Sequence, residues 1–456
     1  MRGALSAWRL AVRAHQSLWG WWKMTRYVIL GTGVAAIAAA ESIRRVDATS
    51  PIAFISEDPH GYYSRPGLAY MLTGEVDEKQ LFSYRPDDFK KLNAHFYRAE
   101  VTRILPGEKI IEATPNLRIP YDRLLVAVGA QAVRLKATGC QLAGVVKLDH
   151  MEDARSILAQ AKHSRAAVVV GGGITALELA EGLSARHVKV HLLIRNERYW
   201  PNVLDEAESH IIETRLAEDG IQIHFQSELA EILGKNGKVA GVRLESGAQI
   251  RCDMVAYAIG VAPRIQLAKD SGIACERGVL TNEKMETNLP DIFAAGDIAQ
   301  VFDPQTGRAT IDSLWTPARE QGRIAGANMA GGVETYIKAV PFNVTRLGGL
   351  TTTIIGSVGT GRESDMVGIA RGDSETWRQI PDAIITQSGF EVNRLRLMIG
   401  EKHILGAIVM GDQKLSSPLE TIIREKVDIL PIRARLLEKN APLADILVHF
   451  WAGIAG

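Results

Sequence analysis

Two glycine-rich segments have the residue types and spacing that bind a dinucleotide. Each follows an apolar run of strand length and precedes an alanine-rich stretch with helical periodicity. The first glycine permits a tight turn, the second lets the backbone approach a pyrophosphate, and a small third residue lets helix and strand pack closely. The positive end of the helix then faces the phosphate charge. The residues concerned are Gly31, Gly33, Val34, Ala35 and Ala36 in the first loop and Gly171, Gly173, Ile174, Thr175 and Ala176 in the second.

The presence of two nucleotide loops in one chain is stronger evidence for dinucleotide binding than a single loop would be. One glycine signature is weak evidence, but two with the same order of strand, loop and helix suggest two dinucleotides held face to face. Electron transfer between a nicotinamide and a flavin needs that arrangement, with the rings within about 3 to 3.5 Å and water excluded. The pattern therefore suggests a protein that holds two dinucleotides so that electrons can pass between them.

The residues that follow the second strand of each unit predict which ribose each loop binds. Glu57 lies about 20 to 25 residues after the first glycines, where an acidic residue accepts hydrogen bonds from a ribose. After the strand at 188–194 the chain has Arg195 and Arg198 instead. A carboxylate there would repel a 2′-phosphate, whereas arginines accommodate it. The second loop is therefore predicted to bind NADPH, with NADH as the alternative because Glu197 lies between the arginines.

The elements that must position these loops alternate along the chain. The first loop lies between a strand at 27–30 and a helix from Ala35 to about Ile43, and the second follows a strand at 166–170. Later segments return to the same sites: two apolar strands that close on small-residue turns, and a short strand that delivers an aspartate. From these segments we predict cofactor contacts at Ala127, Val128, Gly129, Gly260, Gly296 and Asp297.

Composition is that of an ordinary globular protein. Hydrophobic residues make up 46% and charged residues 23% of the 456 residues, and the net charge of +1 does not indicate a nucleic-acid partner. Cys140, Cys252 and Cys275 are widely separated, which argues against a disulfide framework, a zinc site or an iron–sulfur site. We therefore predict no bound metal and three small buried cysteines. The longest apolar stretch, 28–40, is too short to span a bilayer, and we predict a cytoplasmic protein.

The first 24 residues differ from the rest of the chain. They contain four Arg or Lys residues and no acidic residue, and on a helical wheel tryptophans fall opposite most of the basic side chains. A basic amphipathic helix of this kind predicts peripheral contact with an anionic membrane surface. The alternative interpretation is a leader that results from a misassigned start, with Met24 near the true beginning.

Six features in the same order resemble the pyridine nucleotide–disulfide oxidoreductase superfamily. The resemblance covers about residues 25 to 335 and, more weakly, the C-terminal region. The features are the first glycine loop, Glu57, the Tyr-Asp-x-Leu-Leu-hydrophobic-Ala-x-Gly strand at 121–129, the second glycine loop, Ala-Ile-Gly-x-x-Pro at 258–263 and Ala-Ala-Gly-Asp at 294–297.

The resemblance implies an α/β fold with two Rossmann-like, glutathione-reductase-like dinucleotide-binding domains and a C-terminal α+β interface domain. The first loop would hold FAD and the second NADH or NADPH. The chemistry that the resemblance implies is hydride transfer from nicotinamide C4 to flavin N5, followed by release of electrons to an external acceptor. Asp297 would bind the ribitol and diphosphate region, and a helix starting near Thr316 would point its N-terminus at the flavin pyrimidine edge. The predicted domains are 1–24 (leader), 25–148 with 264–335 (FAD), 149–263 (NAD(P)H) and 336–456 (interface), the last implying a homodimer.

The segment Tyr63-x-Arg65-Pro66-x-Leu68 is similar to the ferredoxin, rubredoxin and nitrite reductase branch of that superfamily. Arg65 would contact the cofactor. Disulfide reductases carry Cys-x4-Cys at this place and related oxidases a single cysteine, but here no cysteine precedes Cys140, which excludes sulfur chemistry at the flavin. The branch usually continues Leu-Ser-Lys with its lysine beside the flavin, whereas this chain has Tyr70 in the lysine's place.

Glu178 matches a glutamate that in relatives lies near the nicotinamide and flavin N5, and it is the predicted catalytic residue. The predicted acceptor is a carrier such as rubredoxin or ferredoxin, or a nitrite reductase partner. One alternative is a membrane-surface NAD(P)H:quinone oxidoreductase attached through the N-terminal segment and the apolar stretch 443–454. Another is a non-catalytic flavin redox sensor or scaffold.

Overall fold

A computed structural model describes residues 24–303, 307–358, 394–438 and 441–455; the N-terminal segment through residue 23 lies outside the described residues. The helices are α1 Val34–Val46, α2 Gly67–Thr73, α3 Pro86–Lys91, α4 Met151–Ala161, α5 Ile174–Ser184, α6 Glu206–Glu218, α7 Gln266–Asp270, α8 Trp315–Met329, α9 Ser416–Arg424, α10 Leu430–Leu436 and α11 Leu443–Ala455. The strands are β1 Tyr27–Leu30, β2 Ile52–Ser56, β3 Ala94–Arg98, β4 Val101–Leu105, β5 Ile110–Ala113, β6 Leu117–Pro120, β7 Arg123–Val126, β8 Ala130–Ala132, β9 Val145–Lys147, β10 Ala166–Val170, β11 Lys189–Leu193, β12 Gln222–His224, β13 Leu229–Lys235, β14 Lys238–Leu244, β15 Gln249–Ile250, β16 Met254–Tyr257, β17 Val261–Pro263, β18 Val279–Thr281, β19 Ile292–Ala294, β20 Ala299–Asp303, β21 Arg308–Thr310, β22 Phe342–Leu347, β23 Leu350–Gly356, β24 Arg394–Ile399 and β25 Ile404–Met410.

The chain divides into two compact units. The first comprises the described residues up to Tyr63 together with Phe82–Ala130 and Pro263–Ile337. The second comprises Ser64–Leu81, Gln131–Ala262 and the described residues from Lys338 onward. The nucleotide-binding and interface domains predicted from the sequence remain predictions, and the second unit takes in the short segment that contains Arg65.

A parallel sheet in the order β19-β7-β1-β2-β3 forms the centre of the first unit. Strand β1 pairs with β2 from Tyr27 opposite Ile52 and with β7 from Tyr27 opposite Arg123. All four residues of β1 are buried, which explains why the strand reads as a continuous apolar run. This sheet places the carboxyl end of β1, where the first glycine loop begins, between the ends of β2 and β7.

The second unit contains a parallel sheet of the same design, in the order β12-β11-β10-β16-β9. Strand β10 pairs with β11 from Ala166 opposite Lys189 and with β16 from Ala167 opposite Met254. Here too the strand that precedes a glycine loop is central, with its sequence successor on one side and a later strand on the other. The two parallel sheets confirm the predicted α/β fold with two Rossmann-like halves.

An antiparallel sheet, β22-β23-β25-β24, follows in the second unit. Apolar side chains of this sheet and of α9, α10 and α11 form one core, in which Leu419, Ile422 and Leu447 are almost fully buried. This arrangement is the predicted C-terminal α+β part. The apolar stretch at 443–454 is helix α11, and Ile446 and Leu447 lie in that core while Val448 and Ile454 are exposed.

Close packing of two helices supports the first sheet. A Cβ atom added at Gly322 would lie 2.1 Å from the backbone oxygen of Ala35, and one at Gly326 would lie 2.2 Å from that of Ala39. Such distances leave no room for any side chain, so α8 packs against α1 backbone to backbone. The helix that carries Ala35 and Ala36 is thereby fixed from outside the sheet.

None of the helices in the described part of the chain is long and apolar enough to cross a bilayer.

Candidate functional site

The first glycine loop requires glycine for two reasons. Gly31 has φ +99°, a conformation that L side chains rarely adopt, and an added Cβ would lie 2.4 Å from the backbone oxygen of Ala127. Its N–H donates to the Ile55 carbonyl at 2.8 Å. Gly33 is the extended residue that precedes α1. The loop therefore brings backbone close to the strand ends, and α1 begins directly after it with no side-chain cap on its first N–H groups, which fits a pyrophosphate.

The segment that carries Gly296 lies beside this loop. An added Cβ at Gly296 would lie 3.1 Å from the Cβ of Ala35, and the Gly296 N–H donates to Oε1 of Gln321 at 2.9 Å. Asp297 follows directly and is half-buried, and Thr316 is an exposed residue in the first turn of α8. The structure thus brings the predicted Gly296 and Ala35 together in the first unit.

Glu57 and the turn at 127–129 complete the carboxyl edge of the first sheet. This turn follows β7, and the Ala127 N–H donates to the Leu30 carbonyl at 2.9 Å, so the turn lies beside the end of β1. The carboxylate of Glu57 contacts Arg264, with 3.0 Å between Oε1 and Nη1, and is 60% exposed. Its position after β2 is that of a ribose acceptor.

The second glycine loop repeats the geometry of the first. Gly171 has φ +145°, and an added Cβ would lie 2.3 Å from the backbone oxygen of Ala258 and 3.0 Å from the Cβ of Ala176. Gly173 is the extended residue before α5, and no atom lies within 4 Å of an added Cβ there. Gly260 lies two residues after Ala258, close in sequence to the strand end that the loop contacts. This geometry fits the predicted second dinucleotide. We call each glycine loop, together with the strand ends beside it, a cradle.

The two arginines after β11 differ in their surroundings. Arg195 is exposed at the end of the strand. Arg198 is half-buried, and its Nη1 donates to the Leu204 carbonyl at 2.5 Å and to Oγ of Ser209 at 2.9 Å. Because Arg198 is engaged within its own loop, Arg195 is the better placed of the two predicted phosphate ligands.

Glu178 opens onto a cavity of about 410 Å³ within the second unit. Helices α2 and α5 pack closely there, because Gly182 has no side chain and an added Cβ would lie 2.7 Å from that of Leu72. Arg65 precedes α2 and is half-buried. The polar residues that line the cavity include Tyr70, Glu75, Glu178, Glu181, Asp219 and Arg346. Tyr70 therefore lies in the same cavity as Glu178.

Glu181, one helical turn after Glu178, is a residue that the sequence analysis did not single out. Its Oε1 accepts the Gly349 N–H at 3.1 Å. Burial raises the pKa of Glu181 to about 7, and the nearby Asp219 and Glu75 add to the shift, whereas Arg346 and the Gly349 N–H oppose it. Spacing of three residues from Glu178 could have placed both carboxylates on one helix face.

Tyr199 is a second residue that the sequence did not reveal. It is fully buried, its hydroxyl has no hydrogen-bond partner among the described residues, and burial raises its pKa well above the ordinary value. The charges of Glu181 and Glu178 raise that pKa further, which places the phenol close to both carboxylates.

The cysteines correct one expectation. Cys252 is buried, and burial raises the pKa of its thiol to about 12. Cys140, however, is exposed and Cys275 is only half-buried, so the prediction that all three are buried small side chains is wrong for Cys140 and holds only in part for Cys275. Cys140 follows Gly139 in a turn whose backbone packs closely, since an added Cβ at Gly139 would lie 2.2 Å from the backbone oxygen of Ile232. Within the described ranges, no cluster of three or more His, Cys, Asp or Glu residues could hold a metal ion.

Comparison with known proteins gives the family context. A family model described as "Pyridine nucleotide-disulphide oxidoreductase" matches residues 25–322. An NADH oxidase from Methanocaldococcus jannaschii is 28% identical over 409 residues, covering 87% of this chain and 90% of the relative. A rubredoxin-NAD(+) reductase from Ectopseudomonas oleovorans is 30% identical over 283 residues, covering 61% of this chain and 73% of the relative. The crystal structure of a ferredoxin reductase from Rhodopseudomonas palustris has a TM-score of 0.78 at 21% identity, covering 93% of this chain and 99% of that one, and shows the same fold.

Proposed function

The chain belongs to the pyridine nucleotide-disulphide oxidoreductase family, and on that premise we propose that it is an FAD-dependent NAD(P)H oxidoreductase without a redox-active disulfide. It takes a hydride from NADPH or NADH and delivers electrons to a separate acceptor. The observation that carries the proposal is the pair of glycine cradles, each at the carboxyl end of the central strand of a parallel sheet.

The two cradles divide the cofactors between the two units. FAD fits the first, where Glu57 follows β2 and the Gly296–Asp297 segment packs against Ala35. NAD(P)H fits the second, where exposed Arg195 is available to a 2′-phosphate. Bound FAD supplies an isoalloxazine that accepts two electrons as hydride and releases them singly. The role of the protein is to bind and orient both nucleotides.

The remaining residues of the predicted site have positioning roles in this proposal. The backbone N–H groups after Gly33 and Gly173 hold the two pyrophosphates, and the turn at 127–129 and Gly260 line the strand ends. Thr316 starts the helix whose N-terminus faces the flavin, as the family resemblance implies. Glu178 orients the nicotinamide from α5, and the adjacent cavity with Glu181 keeps a titratable carboxyl one turn away.

A small electron carrier is the acceptor that we propose, either a rubredoxin or a ferredoxin, or a nitrite reductase partner. Support comes from the similarity to a rubredoxin-NAD(+) reductase and from the absence of any cysteine before Cys140 in the sequence. Without a thiol pair, electrons leave the flavin directly. A homodimer formed through the C-terminal part is also proposed.

The quinone alternative has less support. Its C-terminal attachment segment is α11, and Ile446 and Leu447 of that helix are buried in the C-terminal core, with Phe450 and Trp451 packed against it. Core packing therefore accounts for most of the apolar character of this stretch. The N-terminal segment, on which attachment would then depend, lies outside the described residues.

The test is anaerobic reduction of the purified full-length protein. We expect a bound flavin that chromatography identifies as FAD, bleaching by NADPH or NADH, and fast reoxidation by rubredoxin or ferredoxin in stopped-flow absorbance. Quinone in lipid vesicles serves as the comparison acceptor. A colourless protein that cannot be reconstituted with FAD would refute the proposal. Bleaching without reoxidation by any acceptor, combined with a redox-dependent oligomer, would favour the sensor interpretation.

A further inference from the structure

Arg264 connects segments of the first unit that are far apart in the sequence. It follows the Ala-Ile-Gly-x-x-Pro motif, and no role was predicted for it. Its Nη1 lies 3.0 Å from Oε1 of Glu57, 207 residues away. Its backbone N–H donates to the Gly129 carbonyl at 3.0 Å, and its Nε donates to the Ala130 carbonyl at 3.4 Å. A single residue therefore contacts both predicted sides of the first cradle.

The sheet order explains why these contacts matter. Strands β2 and β7 lie on either side of β1, so Glu57 and Gly129 follow the two strands that flank the glycine loop. Neighbouring strands are about 4.8 Å apart, so β2 and β7 are separated by about 10 Å, a gap that the side chains of Arg264 and Glu57 span together. Arg264 thus bridges the carboxyl edge of the sheet at the first glycine loop.

The exposures of the two side chains point to a ligand. The side chain of Arg264 is 25% exposed, whereas that of Glu57 is 60% exposed. An exposed ion pair adds little to fold stability, so the pair is not needed to hold the sheet together. It does, however, restrict a carboxylate that would otherwise rotate freely in water. With Oε1 held by Arg264, the rest of the carboxylate faces the solvent in a fixed direction.

We propose that Arg264 is a positioning residue for the adenosine end of FAD, because it fixes Glu57 in the orientation that accepts the ribose hydroxyls. The inference rests on the proposed function, in which the first cradle holds FAD. Fixing an acceptor before the ligand arrives lowers the entropy lost on binding. A planar guanidinium with several N–H donors can hold the carboxylate and the Ala130 carbonyl together, which a lysine cannot do in the same geometry.

Comparison of FAD with FMN separates this role from a general one, because FMN has the same flavin ring but no adenosine. Apoprotein of the full chain is titrated with each flavin, and the dissociation constants are obtained from flavin fluorescence for the wild type, R264Q, R264K, E57Q and the double variant R264Q/E57Q. Thermal unfolding of each apoprotein reports folding. R103Q is the matched control, since Arg103 forms a more exposed pair with Glu112 in the same unit.

We expect R264Q to weaken FAD binding about tenfold, as lost charge-assisted hydrogen bonds would, while FMN binding stays within twofold of the wild type. The FAD dissociation constant of R264K should lie between those of the wild type and R264Q, and that of R103Q should match the wild type. The double variant should bind FAD no more weakly than E57Q alone, because the two residues act as one unit.

Three outcomes would overturn the inference. Equal weakening of FAD and FMN by R264Q and R264K would make Arg264 a structural clamp of the loop. Independent, multiplying effects of R264Q and E57Q would mean that Arg264 does not act through Glu57. A wild-type protein that binds neither flavin would refute the proposed function itself, and the inference with it, whereas the first two outcomes leave the proposed function intact.

Discussion

The two nucleotide units solve the same geometric problem with the same backbone and different surroundings. At Gly31 and at Gly171 an added Cβ would lie within 2.5 Å of a carbonyl on the neighbouring strand end, Ala127 in one case and Ala258 in the other. Both glycines have positive φ. Strand order around the two loops is equivalent. Close approach of the loop to the strand ends is therefore a property of the cradle itself and does not depend on which nucleotide it receives.

What differs is the set of neighbours around each cradle. In the first unit, α1 contacts the glycines of α8 backbone to backbone, and an ion pair with Arg264 holds Glu57. In the second, α5 packs against the Leu72 side chain, and the strand after the loop ends in exposed Arg195. We infer that the first unit is built to retain its nucleotide, while the second presents an open site suited to a nucleotide that exchanges in each turnover.

Substitution of each loop glycine is the strongest test of the assignment of different cofactors to the two cradles. G31A places a Cβ 2.4 Å from a carbonyl oxygen at positive φ, and clash and strain together should cost several kcal/mol. We expect G31A to bind FAD at least about 100-fold more weakly than the wild type does, as measured by flavin fluorescence. G171A should remain yellow but should not be bleached by NAD(P)H, while dithionite still reduces it.

G107A is the control for this pair, because nothing lies within 4 Å of an added Cβ at Gly107. It should behave as the wild type in both assays. If G31A kept FAD and G171A lost it, the assignment of the two cofactors to the two units would have to be exchanged.

Helix packing provides the second test. G322A should destabilise the protein by about 2–4 kcal/mol, since its Cβ would meet backbone that cannot move aside. G182A should cost less, about 1–2 kcal/mol, because its Cβ would meet the side chain of Leu72. Urea unfolding followed by circular dichroism measures both. Equal losses would show that the two helix contacts are equally rigid.

The pH dependence of stability tests the titration of Glu181 in the second unit. The pKa of Glu181 is raised from its ordinary value of 4.5 to about 7 in the folded protein. Between these values the folded state binds more protons than the unfolded state, so the free energy of unfolding falls as pH rises, and the loss is complete above pH 7. Linkage sets an upper limit of about 3 kcal/mol, and solvent in the cavity reduces it to about 1–2 kcal/mol.

E181Q removes this charge and retains an acceptor for the Gly349 N–H. At pH 8 the variant should be about 1–2 kcal/mol more stable than the wild type, and at pH 5 the two should be nearly equal. Urea unfolding at both pH values gives the comparison. An advantage for E181Q that is the same at both pH values would show that Glu181 does not titrate in this window.

The smallest expected effect concerns the choice of nicotinamide. R195Q should lower kcat/KM for NADPH about tenfold relative to NADH, through loss of a charge-assisted contact with the 2′-phosphate. R198Q is the comparison variant, because Arg198 is bonded to Leu204 and Ser209. It should change stability more than donor preference. A wild-type enzyme with a large advantage for NADH would contradict the predicted role of Arg195.

The sequence predicted the local elements of the cradles well. The strands at 27–30 and 166–170 have the predicted bounds, the strand predicted at 188–194 is Lys189–Leu193, and the helix after the first loop extends to Val46 where about Ile43 was expected. These segments are recognisable because a strand buried on both faces reads as an apolar run and because glycine is required at a turn with positive φ. Element order and spacing then sufficed for the α/β fold.

Contacts between distant segments could not be predicted in this way. The pairing of Arg264 with Glu57 spans 207 residues, and neither position shows a local pattern that indicates the other. The cavity beside Glu178 depends on how α2 meets α5, which is decided by the missing side chain of Gly182. Cys140 was expected to be buried on the general preference of cysteine, but it is exposed, because that preference says nothing about where a particular turn lies in the fold.

The contact between α1 and α8 affects the order in which the two sheets can form during synthesis of the chain. Helix α1 ends at Val46, but the glycines that cover it are at 322 and 326, and the edge strand β19 begins only at Ile292. The parallel sheet of the second unit needs nothing beyond Tyr257. As the chain leaves the ribosome, the second sheet can therefore be complete while the first still exposes apolar surface. A protein truncated near residue 290 should accordingly have an incomplete first sheet, and the residues of that sheet should be prone to chaperone binding and proteolysis.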